Sequence, residues 1–218
     1  MNAAGVTLPL ATALVAGLSH ALEPDHMAAV TAFVSRRPHP LRALGFGVQW
    51  ALGHSAALLV AGGAVILLKL ELSAALVSAL EFAVGAMLFG IGLWALGGAL
   101  HLQALTNAHG HAHTLDHPHS HTHDQATTWV GAAHGLAGTA GFVTLLPVAF
   151  ISSPWLAGGY LLFFGLGTVV SMGLYALVAG FLFHHAGTRA PALGKGLRVA
   201  ASLASVGVGV LWMRAGMG

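Results

Sequence analysis

An apolar stretch, residues 4–34, contains four side chains that could bind a divalent cation, all within one segment of seven residues. They are His20, Glu23, Asp25 and His26. Two neutral imidazoles and two carboxylates balance a divalent charge, and such nitrogen and oxygen donors suit Ni, Co, Zn or Mn. The alternative is a set of polar groups that bond one another inside a helix bundle. Because ionisable groups are costly in an apolar helix, we favour a metal site.

The spacing of these residues does not fit a straight helix. At 100° per residue, His20 and Asp25 point about 140° apart, so the two cannot face one ion. Pro24 lacks an N–H, and its ring crowds the carbonyl of residue 20. We therefore predict a broken helix, in which the His20 carbonyl has lost its helical partner and the side chains can converge.

A partner from a second helix is predicted at His54, within Leu52-Gly-His-Ser. A single histidine in an apolar helix is as often a hydrogen-bonding group between helices as a ligand. Beside the cluster around His20, ligation becomes the favoured interpretation.

The solvent around most of these residues must be lipid. The 218 residues are 56% hydrophobic and 6% charged, whereas soluble domains carry about 25% charged residues. No cysteine is present, which excludes disulfides, zinc ribbons and thiolate sites for copper(I). The few basic residues do not indicate nucleic-acid binding.

The predicted fold class is an all-α polytopic membrane protein, a single transmembrane domain over residues 1–218, with a broken first helix. A span needs about 20 apolar residues. By that criterion there are about six transmembrane helices, at 4–34, 43–68, 73–104, 129–151, 155–183 and 199–214.

The distribution of positive charge predicts the orientation in the cell (inner) membrane. Six of the eight basic residues lie in the loops after the first and fifth spans, so those loops are predicted to be cytoplasmic and both termini outside. The loop at 106–128 is then cytoplasmic as well. It is a polar linker that either binds metal weakly or is dispensable. Its histidines are His109, His111, His113, His117, His119, His121 and His123.

Two short similarities suggest two inverted three-helix repeats. The segment 17–22 resembles 131–136, and 46–54 can be aligned with 164–172. If the repeat holds, His134 and Thr139 face the cluster in the first span, and His134 becomes a further candidate ligand. Ser171 and Met172 would then lie opposite His54.

The motifs His20-x4-Asp25-His26 and Leu-Gly-His54-Ser resemble the signature of the nickel/cobalt permease family, including its short urease-accessory-type and efflux-type members. The resemblance implies a metal-selective path at His20, Asp25, His26 and His54, on a first helix that runs from outside to cytoplasm. Glu23 occupies a variable place in that motif, so its assignment rests on its chemistry alone.

The predicted function is transport of Ni²⁺ or Co²⁺ by a secondary permease that needs no cofactor beyond the transported ion. No Gly-x4-Gly-Lys-Ser/Thr phosphate loop is present, so a separate energising subunit is left open, as are nickel-enzyme maturation proteins as partners. The alternatives are a nickel/cobalt efflux protein and a membrane-anchored metal sensor or chaperone that uses the His-rich loop. An intramembrane zinc hydrolase is disfavoured because His-Glu-x-x-His is missing, and an anion exporter because the predicted site holds carboxylates.

Overall fold

The computed structural model describes residues 3–36, 38–68, 73–100, 121–138 and 145–217, and this part of the chain contains no β-strand. It forms seven α-helices and one short 3-10 helix, Leu146–Phe150. The α-helices are α1 (Ala3–His20), α2 (Pro24–Arg36), α3 (Pro40–Leu67), α4 (Ala74–Ala99), α5 (His121–Ala137), α6 (Pro154–Arg189) and α7 (Pro191–Ala215).

The prediction of an all-α polytopic membrane protein is confirmed. Four helices, α3, α4, α6 and α7, are long and apolar enough to cross a bilayer. The pair α1–α2 passes the same test as one span bent by 54° at its break. The count of six spans stays a prediction, because it needs a span around α5.

The region of α5 differs from the prediction in two ways. The span predicted at 129–151 is not one helix, since α5 ends at Ala137 and a 3-10 helix follows at Leu146–Phe150. The loop predicted at 106–128 is too long, since α5 already begins at His121. Residues 106–120 of that loop lie outside the described residues.

The break in the first span is confirmed, and Pro24 is the first residue of α2. The missing N–H is harmless at that position, because the first turn of a helix has no acceptor for it. The prediction that the carbonyl of His20 has no hydrogen-bond partner is wrong. Its oxygen accepts the Glu23 N–H at 3.1 Å, as part of a tightened last turn of α1.

The two halves of the chain, α1–α4 and α5–α7, pack on each other. Helix α1 of the first half packs on α6 of the second, and α5 of the second half packs on α3 of the first; α3 also packs on α6, and α4 on α7. The last pair is antiparallel, because Gly85 lies against Met213 while Gly92 lies against Val206. Equivalent helices that run antiparallel are what an inverted repeat produces.

Close backbone contacts define the register of this repeat. A Cβ atom on Gly17 would overlap the carbonyl of Phe164, and one on Gly131 would overlap the carbonyl of Trp50. Residue 131 follows residue 17 by 114 positions, and residue 164 follows residue 50 by the same 114. The two contacts are therefore equivalent under exchange of the halves.

A second pair of contacts has the same register. Gly167 lies against the carbonyl of Leu14, and Gly53 against that of Thr128, again 114 positions apart in each half. The predicted alignment of 17–22 with 131–136 agrees with this register. The alignment of 46–54 with 164–172 is wrong by four residues, about one helical turn.

The helix ends that carry the basic residues meet at one end of the bundle. Arg36, at the end of α2, donates to the carbonyl of Trp94 at 3.0 Å, and its guanidinium carbon lies 4.3 Å from the centre of the Trp94 ring. His184, near the end of α6, donates to the carbonyl of Pro38 at 3.3 Å. That this end faces the cytoplasm stays a prediction.

Candidate metal centre

Five of the six residues predicted to bind metal are buried together where the first span breaks. His20 is the last residue of α1, Asp25 and His26 lie in the first turn of α2, His54 is on α3 and His134 on α5. None of these side chains is more than 3% exposed. The break brings the first three together, since it redirects the chain between residues 20 and 24.

Three imidazole nitrogens converge in this cluster. His54 Nε2 lies 3.0 Å from His20 Nε2 and 3.4 Å from His26 Nε2. A hydrogen on His54 Nε2 can be donated to only one of these two nitrogens at a time. With metal–nitrogen bonds of about 2.0–2.1 Å, neighbouring ligand nitrogens lie about 2.8–3.4 Å apart. The two observed distances match those between ligands of one ion, and the ligand atoms of all three histidines lie within 4.8 Å of one another.

Asp25 joins this cluster to α5. Its Oδ1 accepts both the backbone N–H of His26 at 2.9 Å and the Nδ1–H of the same residue at 3.0 Å, while Oδ2 accepts the Nε2–H of His134 at 3.1 Å. A carboxylate bound to Nδ1–H leaves the lone pair of His26 on Nε2, which faces His54. This is the arrangement by which carboxylates orient metal-binding histidines.

Glu23 lies at the edge of the cluster. Its side chain is 30% exposed, and its Oε1 is 3.1 Å from His20 Nδ1 without the geometry of a hydrogen bond. Glu23 belongs to neither group of three buried ligand residues in this region, and its assignment as a ligand stays a prediction.

Two aromatic rings, which the sequence did not single out, wall the cluster. The His20 ring lies 5.5 Å from that of Phe164, and the His134 ring lies 5.9 Å from that of Trp50. These pairs are again equivalent in the repeat. The signal that could have found them is the same 114-residue spacing that relates His20 to His134.

The backbone of Met172 lies against Gly47, whereas Gly165 lies against Ser55, so Met172 is not placed opposite His54 as the predicted alignment required. It is fully buried in an apolar cluster with Trp50, Ala51 and Ala176. The register of the repeat instead makes Thr168 the counterpart of His54. Thr139, the other residue expected near the cluster, lies outside the described residues.

Comparison with known proteins places the chain beside two relatives. It is 34% identical over 183 residues to the urease accessory protein UreH of Bacillus sp. (strain TB-90), covering 80% of the chain and 77% of that protein. It is 28% identical over 206 residues to the chloroplast protein FOR GROWTH AND FERTILITY 2 of Arabidopsis thaliana, covering 91% of the chain and 54% of that protein. No family model and no solved structure matches the chain.

Proposed function

This chain belongs to the family of the urease accessory protein UreH, and from that premise we propose that it carries Ni²⁺ or Co²⁺ across the membrane through its buried histidine cluster. The observation that carries the proposal is that the Nε2 atoms of His20 and His26 lie 3.0 and 3.4 Å from Nε2 of His54. The cation is the substrate, and its proposed site lies inside a multi-pass bundle rather than on a surface.

The chemistry of the cluster suits a late first-row divalent ion. An ion that enters a bilayer must lose its water, and imidazole nitrogens replace that water well for Ni²⁺ and Co²⁺. Asp25, 3% exposed, supplies a negative charge within the same cluster and so offsets part of the ion's charge. Hard ions such as Mg²⁺ and Ca²⁺ prefer oxygen ligands, so they fit three imidazoles poorly.

Two further observations support nickel or cobalt as the cargo. The motifs that resemble the nickel/cobalt permease family, His20-x4-Asp25-His26 and Leu-Gly-His54-Ser, are the segments that meet in the cluster. The bacillus relative is itself described as a urease accessory protein, which agrees with the urease-accessory-type members that those motifs resemble.

We propose a gradient-driven permease with its termini outside. Moving a divalent ion inward gains about 4–5 kcal/mol per 100 mV of membrane potential, which is enough to drive uptake. Export would need exchange against another ion, such as a proton.

The test is flux of ⁶³Ni²⁺ into liposomes that contain the purified chain, with an inside-negative potential imposed. We expect His54→Ala to reduce uptake to the level of protein-free liposomes, because it removes the nitrogen that faces both other imidazoles. His39→Ala is the matched control, since His39 is an exposed histidine beside the end of α6. Full uptake by His54→Ala would contradict the proposal. Uptake that requires the opposite potential or a proton gradient would assign the chain to efflux.

A further inference from the structure

The His26 ring has a different partner at each of its two nitrogens. Its Nε2 lies 3.4 Å from His54 Nε2, whereas its Nδ1 lies 3.0 Å from Asp25 Oδ1. The second oxygen of Asp25 then lies 3.1 Å from His134 Nε2. His26 thus belongs to two groups of potential ligands, His20/His26/His54 and Asp25/His26/His134, and within each group the ligand atoms lie within 4.8 Å of one another.

We propose that the centre provides two adjacent positions for one transition-metal cation, which occupies them in turn. The first position lies among His20, His26 and His54, and the second among Asp25, His26 and His134. The inference rests on the proposed function and deepens it, because it describes the steps by which the ion passes through the cluster.

The second group is a complete set of donors. Two imidazoles and a carboxylate form a site that divalent Co, Ni or Zn accepts. All three side chains are buried, so no surface water takes the place of a ligand. His134 also has a buried Nδ1 without a hydrogen-bond partner, and that nitrogen can carry the ring's single hydrogen when Nε2 binds the ion.

The charge of Asp25 supports the same conclusion. A buried carboxylate is costly unless it is paired with a cation or heavily hydrogen-bonded. In the part of the chain that the structure describes, its side-chain partners are two histidines, and no Lys or Arg forms an ion pair with it. The three hydrogen bonds that Asp25 accepts stabilise its carboxylate without neutralising it, and a divalent cation at the second position supplies a positive charge.

The two positions exclude each other because they share one ring. A neutral imidazole has one lone pair and one N–H, so His26 can bind an ion through Nε2 or through Nδ1, but not through both. The first position uses ligands of α1, α2 and α3 alone, whereas the second adds His134 from α5. Transfer therefore moves the ion from a site within one half of the repeat to a site that joins both halves, and the His26 hydrogen must pass from Nδ1 to Nε2 in the same step.

The experiment titrates Co²⁺ into the purified full-length chain and records both the bound ion per chain and the visible ligand-field bands. All variants are made in a background in which the seven histidines of the His-rich loop, His109 to His123, are replaced with Asn, so that they contribute no binding. We expect one ion per chain. His54→Ala and His134→Ala should each keep one ion, with about tenfold weaker affinity and with bands that differ from each other, because each variant retains the other position. His26→Ala should weaken binding about a hundredfold or more, because it removes a ligand from both positions.

His185→Ala is the control, since His185 is a part-buried histidine outside the cluster; its affinity and bands should not change. His134→Gln keeps a polar group at the site if His134→Ala fails to fold. Two ions bound together would overturn occupancy in turn. An unchanged affinity and spectrum in both His134 variants would overturn the second position while leaving transport through the first intact. If the parent chain neither binds Co²⁺ nor carries ⁶³Ni²⁺, the proposed function itself fails.

Discussion

Thr168 on α6 occupies the place in the second half of the chain that His54 occupies in the first. The two lie 114 positions apart, the spacing that relates the glycine contacts of the two halves. The Thr168 hydroxyl bonds to the carbonyls of Gly17 and Phe164 at 3.3 and 3.0 Å, whereas His54 turns its ring toward the cluster. The repeat is therefore preserved in its backbone, while the candidate ligands are concentrated in the first half.

The repeat predicts which glycines can accept a side chain. Gly17→Leu and Gly131→Leu should each destabilise the chain by about 1–3 kcal/mol or more, because the added atoms overlap a neighbouring backbone carbonyl. Gly63→Leu is the control, since a Cβ there meets no atom within 4 Å. Thermal unfolding in detergent measures the difference. Equal midpoints for Gly17→Leu and Gly63→Leu would contradict the close approach of α1 and α6.

Pro24 is expected to be needed for the geometry of the cluster rather than for folding alone. Pro24→Ala restores an N–H and permits α1 to continue, which would rotate Asp25 and His26 away from His20. We expect Co²⁺ affinity to fall about 10- to 100-fold, a loss typical of misoriented ligands. Pro191→Ala, at the equivalent first position of α7, should leave affinity unchanged. Wild-type affinity in Pro24→Ala would show that the break does not depend on the proline.

Met172 is expected to act as a core residue. Met172→Leu conserves volume within an apolar cluster, so the loss of stability should be below about 1.5 kcal/mol, and the Co²⁺ titration should match that of the parent chain. A loss of Co²⁺ binding comparable to that of His54→Ala would instead make its sulfur a ligand.

The His-rich tract is expected to be separable from transport at His121, where α5 begins. Replacing the histidines between 109 and 119 with Ser should remove weakly bound metal and retain most ⁶³Ni²⁺ flux. Deleting 121–128 should abolish flux, because it removes the first turns of α5 and the contact of Thr128 with Gly53. Loss of flux in the Ser variant would instead show that these histidines take part in transport.

Local chemistry made much of the centre predictable. Within an apolar stretch, the seven residues 20–26 hold four ionisable groups, His20, Glu23, Asp25 and His26, together with a proline. The candidate cluster and the break are both predictable from this segment, because both depend on neighbours in the chain. The low charge likewise indicates the lipid environment, and apolar stretches of about 20 residues indicate the all-α class. The bounds around α5 were not predictable, since its polar first turns resemble a loop in sequence, whereas the helix as a whole packs on α3.

The sequence by itself determined that this chain crosses a membrane and carries a cluster of groups able to bind a metal at a broken helix, because composition and local spacing are sufficient for both. Only the tertiary structure decided which nitrogens converge, that Asp25 links His26 to His134, and that Thr168 rather than Met172 is the counterpart of His54. The converging nitrogens come from residues 28 and 34 positions apart. The link from Asp25 to His134 and the pairing of His54 with Thr168 join helices more than one hundred residues apart. They depend on helix register, where a shift of one turn leaves the apolar pattern almost unchanged but replaces every contact.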